Sequence, residues 1–316
     1  MSVPVIAFFN NKGGVGKTSL VYHLACMLSE CRYRVVAADL DPQGNLSAAF
    51  LDDDRLEKLH PDDAYPATIY GAIHLLKRGI GDIQSPVLQR ISSRLALIPG
   101  DMALSEYEDD LSQVWPKCLD RDERAFRVMS SFWRAMQLGA DQHHAQVILI
   151  DLGPNLGSIN RAALIASDYV VIPLSPDLYS LQGLRNLGPT LRQWRKGWTE
   201  RLDKNPTADL DLRNRPVKSY DKWIARIPHF YREYVLGRSE CNVPAVADDE
   251  YCFALLKHYR SLMAMSQESR KPMFALKPAD GALGAHTYAV KDASSDFREL
   301  ALEIMRRANI PPTETE

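Results

Sequence analysis

Five cysteines in 316 residues, Cys26, Cys31, Cys118, Cys241 and Cys252, stand in no C-x-x-C spacing. That scatter excludes a zinc site or a disulfide framework and leaves free thiols in a reducing compartment as the expectation. No apolar stretch reaches the ~18 residues needed to cross a bilayer. The N-terminus runs straight into a strand pattern, with no basic leader region and no long apolar segment. A soluble cytoplasmic protein without stable membrane insertion is therefore expected. Charge of one sign is also lacking. With 38 Lys and Arg against 40 Asp and Glu, the net of −2 excludes a wholly basic nucleic-acid protein but permits a local basic face. There is no internal repeat and no low-complexity tract.

What is present is an ordinary globular balance, 46% hydrophobic and 25% charged, on a chain long enough for one large α/β domain or two small ones. Residues 3–9, 34–39, 95–99, 147–151 and 169–174 read as buried strands, and helical patterns fall at 19–28, 68–76, 103–114 and 121–138. A further helix runs on from the last of these strands to about residue 194. Strands alternating with helices imply an α/β fold, doubly wound, with a mostly parallel sheet and helices on both faces. Phe126, Met129, Trp133 and Met136 form a helical stripe best read as core packing. Residues 51–66 are acidic and proline-bearing, a surface loop, and 197–215 is the best linker candidate. A strand is expected at 223–227, a last helix at 295–308 and a disordered tail at 311–316. Because that helix is expected to pack back on the sheet, one domain over 1–310 is favoured.

The most informative segment is Asn10-Asn11-Lys12-Gly13-Gly14-Val15-Gly16-Lys17-Thr18, lying between the first strand and the first helix. Glycines there let backbone N–H groups turn inward around phosphate oxygens, and the helix start adds a partial positive charge. The site would be built from Asn11, Lys12, Gly13, Gly14, Val15, Gly16, Lys17, Thr18 and Ser19. Lys17 would reach the β- and γ-phosphates, and the Thr18 hydroxyl would ligate Mg²⁺. The G-x-x-x-x-G-K-[ST] pattern fails only at its first glycine, which falls on Asn11, a residue type that tolerates the left-handed region. Lys12, five residues before Lys17, has no role in an ordinary phosphate loop.

Three acids end the buried strands where open α/β sheets bind ligands: Asp39 and Asp41 in Asp39-Leu40-Asp41-Pro42-Gln43-Gly44-Asn45, and Asp151 in Asp151-Leu152-Gly153-Pro154-Asn155-Leu156-Gly157. Asp151, assisted by Asp39, is expected to hold the magnesium waters, and Asp41 to orient the attacking water. Taken singly, each acid reads equally as a helix cap or loop acid.

The glycine segment resembles the deviant Walker A motif of the ParA/MinD superfamily of P-loop ATPases. The resemblance implies that Lys12 crosses a dimer interface to the partner's phosphates, that ATP and Mg²⁺ are bound, and that Asp41 supports hydrolysis. It is carried further by Ile98-Pro99-Gly100, Val171-Ile172-Pro173-Leu174 and Tyr179-Ser180-Leu181-Gln182-Gly183-Leu184, and by Ile227-Pro228, where the family often holds adenine. Gly153 stands where the family's switch segment usually has its first proline. The segments at 51–66, 197–222 and 235–290 match weakly.

Between residues 185 and 232, twelve Lys and Arg face five Asp and Glu, a net of +7, with Trp194, Trp198, Tyr220 and Trp223 interleaved. Arg192, Arg195, Lys196, Arg215, Lys218 and Lys222 could form a nonspecific DNA-backbone surface, as in ParA-like relatives. The alternative is a solvated helix face paired with nearby acids, and the resemblance tips the balance toward DNA. An ATP-bound homodimer and a stimulating adaptor protein follow from the resemblance. A MinD-like membrane helix at the C-terminus is the alternative, disfavoured by Glu299 and Glu303. A bridged metal cluster is excluded because no cysteine lies between Cys118 and Cys241, and a tyrosine-kinase relative because the tail lacks tyrosines.

Overall fold

Buried β-branched and aliphatic runs bounded by helices produce a central sheet in the computed structural model, which describes residues 2–61, 65–174, 178–206, 256, 259 and 261–312. Its strands are β1 (Val5–Phe8), β2 (Val35–Asp39), β3 (Gln89–Arg90), β4 (Leu95–Ile98), β5 (Val147–Asp151) and β6 (Tyr169–Val171). They lie in the order β3-β4-β2-β5-β1-β6, parallel except for the β3–β4 edge pair. The helices are α1 (Lys17–Glu30), α2 (Asn45–Phe50), α3 (Asp53–Glu57), α4 (Ile69–Lys77), α5 (Tyr107–Lys117), α6 (Glu123–Met129), α7 (Ser131–His143), α8 (Ser158–Ile165), α9 (Leu178–Leu202), α10 (Ser261–Ser269) and α11 (Ala285–Arg307).

Successive strand side chains point to opposite faces, so each strand feeds two cores. Val5, Ala7, Val36, Ala38, Ile148 and Ile150 pack with α4 to α9. Ile6, Phe8, Val35, Ala37, Val147 and Leu149 pack with α1, α2, α10 and α11. The expected doubly wound, mostly parallel sheet with helices on both faces is the observed architecture. Its register places Asp39 opposite Asp151 and Phe8 opposite Asp151, so both strand-end acids arrive at one edge.

Several boundaries differ from the sequence reading. The linker candidate begins inside a helix, because α9 continues to Leu202 with Trp198 only 4% exposed. Trp198 packs against Trp115 and Phe126, and that aromatic contact outweighs the polar local composition. The helix expected at 121–138 is two helices. Ser130 separates them, its hydroxyl donating to the Phe126 carbonyl at 2.7 Å alongside its own N–H at 3.0 Å, a back-bond that bends a helix. The segment 103–114 opens with a 3₁₀ turn at Met102–Glu106 before α5. The acidic loop at 51–66 contains α3 and is pinned by buried Leu51 and Leu59. β3 carried no sequence signal. The strand expected at 223–227 lies outside the described residues.

The last helix starts ten residues earlier than 295, and its apolar face is covered. Phe297, Leu300, Ala301, Ile304 and Met305 are all buried, and the Phe297 ring stacks on His23 of α1 at 5.0 Å between centroids. No described helix is long and apolar enough to cross a membrane, and the face that a membrane-surface helix would present is occupied by the protein's own core. Phe297→Ala should lower stability by about 3–5 kcal/mol, read as an earlier urea midpoint with an unchanged slope. A midpoint equal to the parent's would show α11 undocked in solution.

Candidate functional site

The turn between β1 and α1 is held from beneath by Asn10, only 1% exposed. Its amide donates to the Pro173 carbonyl beyond β6 at 2.8 Å, and its side-chain oxygen accepts from the Lys12 N–H at 2.9 Å. Gly14 and Gly16 take the left-handed conformation, with φ of 72° and 79°, which strains any residue with a Cβ. Asn11 does not. The left-handed tolerance invoked for it is unused, because the turn is made three and five residues later, at Gly14 and Gly16. Its side-chain oxygen instead lies 2.9 Å from where a Cβ on Gly183 would stand, so Gly183 lets α9 approach the loop. Gly16 gives α1 no side-chain cap, which leaves its first N–H groups available to an anion.

Lys17 is drawn inward, 7% exposed, with its ammonium 3.4 Å from the Lys12 carbonyl. Burial lowers its pKa, while Asp151 and Asp41 pull it back up. Lys12 is half-buried at the rim of the same loop. A cleft of about 560 Å³ opens over the glycines, large enough for a nucleotide. Its lining includes Gly13, Gly14, Gly16, Lys17, Thr18 and Asp41 from the loop and strand ends, Tyr22 of α1, and Met263, Ser266 and Gln267 of α10.

The three acids are not equivalent. Asp151 is fully buried, and neither carboxylate oxygen has a hydrogen-bond partner. Burial first, then Asp39 beside it, push its pKa up to about 8; Thr18 stands near enough to oppose that shift without making a hydrogen bond of ordinary geometry. A hard cation fits this pairing of an orphaned carboxylate with a threonine hydroxyl, in a place where phosphate oxygens would complete the shell. Asp39 is differently engaged. Its oxygens accept from the Ser47 N–H at 2.8 Å, the Ser47 hydroxyl at 2.7 Å and the Asp41 N–H at 3.3 Å. The Gly100 N–H in turn donates to the Ser47 hydroxyl at 2.8 Å, and a Cβ at Gly100 would come within 2.8 Å of the Asp39 Cγ. These donors hold the Asp39 carboxylate against the start of α2, opposite Asp151 in the strand register. Asp41 lines the cleft, accepts from the Gln43 N–H at 3.0 Å and packs against the backbone of Gly153.

Of the basic residues, Arg192 and Lys196 are exposed on α9 and Arg195 is half-buried. They share an open groove with Thr199, Glu200 and Asp203. Arg201, counted in the basic excess, is buried, donating to the Trp115 carbonyl at 2.8 Å with its guanidinium over the Trp115 ring. Arg215, Lys218, Lys222, Ile227 and Pro228 lie outside the described residues. Sequence reasoning missed Asn10, Ser47 and the α10 wall. The asparagine before the glycine segment was legible in principle, whereas α10 follows a long span without recognisable motifs.

A family model described as an AAA domain matches residues 3–204. The chain belongs to the ParA/MinD family of P-loop ATPases. It is 31% identical over 233 residues to the chromosome partitioning protein ParA of Myxococcus xanthus, covering 74% of this chain and 70% of that one. It is 34% identical over 187 residues to protein IncC of Escherichia coli, covering 59% of this chain but only 45% of IncC. Among solved structures, a Corynebacterium diphtheriae protein superposes with a TM-score of 0.60 at 29% identity, over 69% of this chain and 77% of that one.

For Asp151, a folded pKa above the ordinary 3.8 means that the protonated form favours the fold. Its contribution is complete below pH 3.8 and is lost as pH rises through about 8. Without divalent cations, the melting temperature should therefore fall across that window, and Asp151→Asn should flatten the fall. An unchanged slope in the variant would place its cause elsewhere.

Proposed function

We propose that this chain is an ATP hydrolase that dimerises on ATP, binds DNA without sequence preference and positions or partitions a cargo. The cargo would be a plasmid, a chromosome region or a protein complex. A stimulating adaptor protein and a cytoplasmic, nucleoid-associated location complete the reading. The observation that carries it is the convergence of the glycine loop, the uncapped start of α1, Lys17 and Asp41 on one nucleotide-sized cleft, with Asp151 buried near Lys17. Family membership and relatives that include a chromosome partitioning protein support the cargo assignment.

In this reading the N–H groups of the loop and Lys17 hold the β- and γ-phosphates of ATP. Thr18 and Asp151 hold Mg²⁺, which when bound neutralises charge on the phosphate oxygens. Asp41 orients the attacking water from the cleft wall. Lys12, at the rim, reaches the phosphates of a second copy, where a cation supplied in trans is worth about 10³- to 10⁵-fold in rate. Met263, Ser266 and Gln267 line the same cleft, and Ile227 and Pro228 hold the adenine. Arg192, Arg195, Lys196, Arg215, Lys218 and Lys222 meet the DNA backbone, an electrostatic contact that weakens steeply with salt.

Lys12→Ala should lower turnover by about 10³-fold or more and weaken ATP-dependent dimerisation while sparing nucleotide binding, as measured by phosphate release and light scattering. Full activity in that variant would sink the role in trans. A second measurement, nonspecific duplex binding across a salt series with ATP and without it, should give tight binding only at low salt and with ATP. No binding at low salt in the ATP state would defeat the DNA assignment.

A further inference from the structure

The switch segment departs from its family pattern at Gly153, where the stiffness of a proline is missing. The structure supplies another source of stiffness. Asn160, the third residue of α8, is 1% exposed, and its side-chain amide faces back into the loop. Its Nδ2 group shares its two N–H donors among the Gly153 carbonyl at 2.8 Å, the Asn155 carbonyl at 2.6 Å and the Asn155 side-chain oxygen at 3.0 Å. That same Asn155 oxygen accepts from the Gly157 N–H at 3.0 Å. One buried amide thus gathers three oxygens of a three-residue stretch that bears an otherwise permissive glycine. Buried hydrogen bonds of this kind are costly to leave unmade, so the loop has one strongly favoured arrangement.

The platform beneath Asn160 is itself fixed. Glu108 of α5 caps α8, its carboxylate accepting from the Ser158 N–H and, at 2.9 Å, from the Ile159 N–H. On the other side of the loop, the absence of a Cβ on Gly153 brings Asp41 close, its Oδ1 lying 3.1 Å from where that Cβ would stand. Glycine at 153 therefore does two things: it admits the Asp41 carboxylate against the loop backbone, and it requires an outside clamp.

We infer that Asn160 is a positioning residue that clamps residues 153–155 beside Asp41 and so sets the place of the carboxylate on the cleft wall. The consequence for turnover rests on the proposed ATP hydrolysis; the clamp itself does not. Two variants test it. Asn160→Ala removes all three hydrogen bonds. Asn155→Ala, at an exposed position, removes the side-chain acceptor without disturbing the core. In each, amide exchange at residues 152–158, ATP-analogue affinity, kcat and KM, and the melting temperature are measured on the full chain.

The clamp predicts exchange at 152–158 faster by about tenfold in Asn160→Ala, and by less in Asn155→Ala, with protection elsewhere unchanged. Affinity and KM should stay within about threefold while kcat falls about tenfold. Unchanged exchange at 152–158 would overturn the clamp whatever the turnover. Faster exchange with unaltered kcat would overturn its positioning role, as would kcat and KM shifting together with a chain-wide loss of protection, the mark of a merely structural residue. A parent that binds the analogue but splits no ATP defeats the proposed function instead, and the exchange comparison then still decides the clamp.

Discussion

Two carboxylates side by side in a buried place are the constraint around which the rest of the site is arranged. Asp39 and Asp151 end neighbouring strands in matched register, and burial raises the pKa of both. Charged groups so placed destabilise the fold unless donors or cations meet them. The protein answers differently for each. Asp39 is met by donors within the chain, from Ser47 and the backbone of Asp41, and this explains the glycine at 100, where a side chain would collide with the carboxylate. Asp151 is left without hydrogen bonds but beside Lys17 and Thr18. An acid that the fold does not satisfy is one that a ligand can satisfy, and this asymmetry makes the edge a site instead of a second anchor.

The layers around the sheet serve that edge. On one face, α11 closes over α1 through Phe297 and the neighbouring aliphatic residues, which steadies the helix that starts at the phosphate loop. On the other face, α5 supports α8 through Glu108 and supports α9 through Trp115. Arg161 of α8 and Arg201 of α9 both lie over that indole, at 4.5 and 3.9 Å from its centroid. A count of charges along the chain credits Arg201 to the surface. Packing withdraws it into the interior, so the basic character of α9 rests on fewer cations than composition suggests.

Much of the fold was legible because its signals are local. Short buried runs, helical periodicity and the alternation of strand with helix are properties of short windows, and they place β1, β2, β4, β5 and α4 to within a residue or two. The phosphate loop was legible for a sharper reason: glycines at fixed offsets from a lysine have few other uses. Where local and distant preferences conflict, the reading failed. Residues 197–202 are polar in composition, yet Trp198 finds two aromatic partners from other helices. Residues 121–138 have one continuous periodicity, yet the helix breaks at Ser130, whose hydroxyl bonds back to the Phe126 carbonyl beside its own N–H.

From its order of residues alone, this chain determined that it would bind phosphate on a glycine turn, set acids at strand ends and place two lysines five positions apart, because each depends on chemistry within a few bonds. Only the tertiary structure decided which acid would be satisfied internally, which arginine would be buried, and which asparagine would hold the switch loop. Those outcomes depend on strand register and on which helices cross, and so on contacts between residues from 5 to more than 80 positions apart. No short window of the sequence contains both partners of the longer ones.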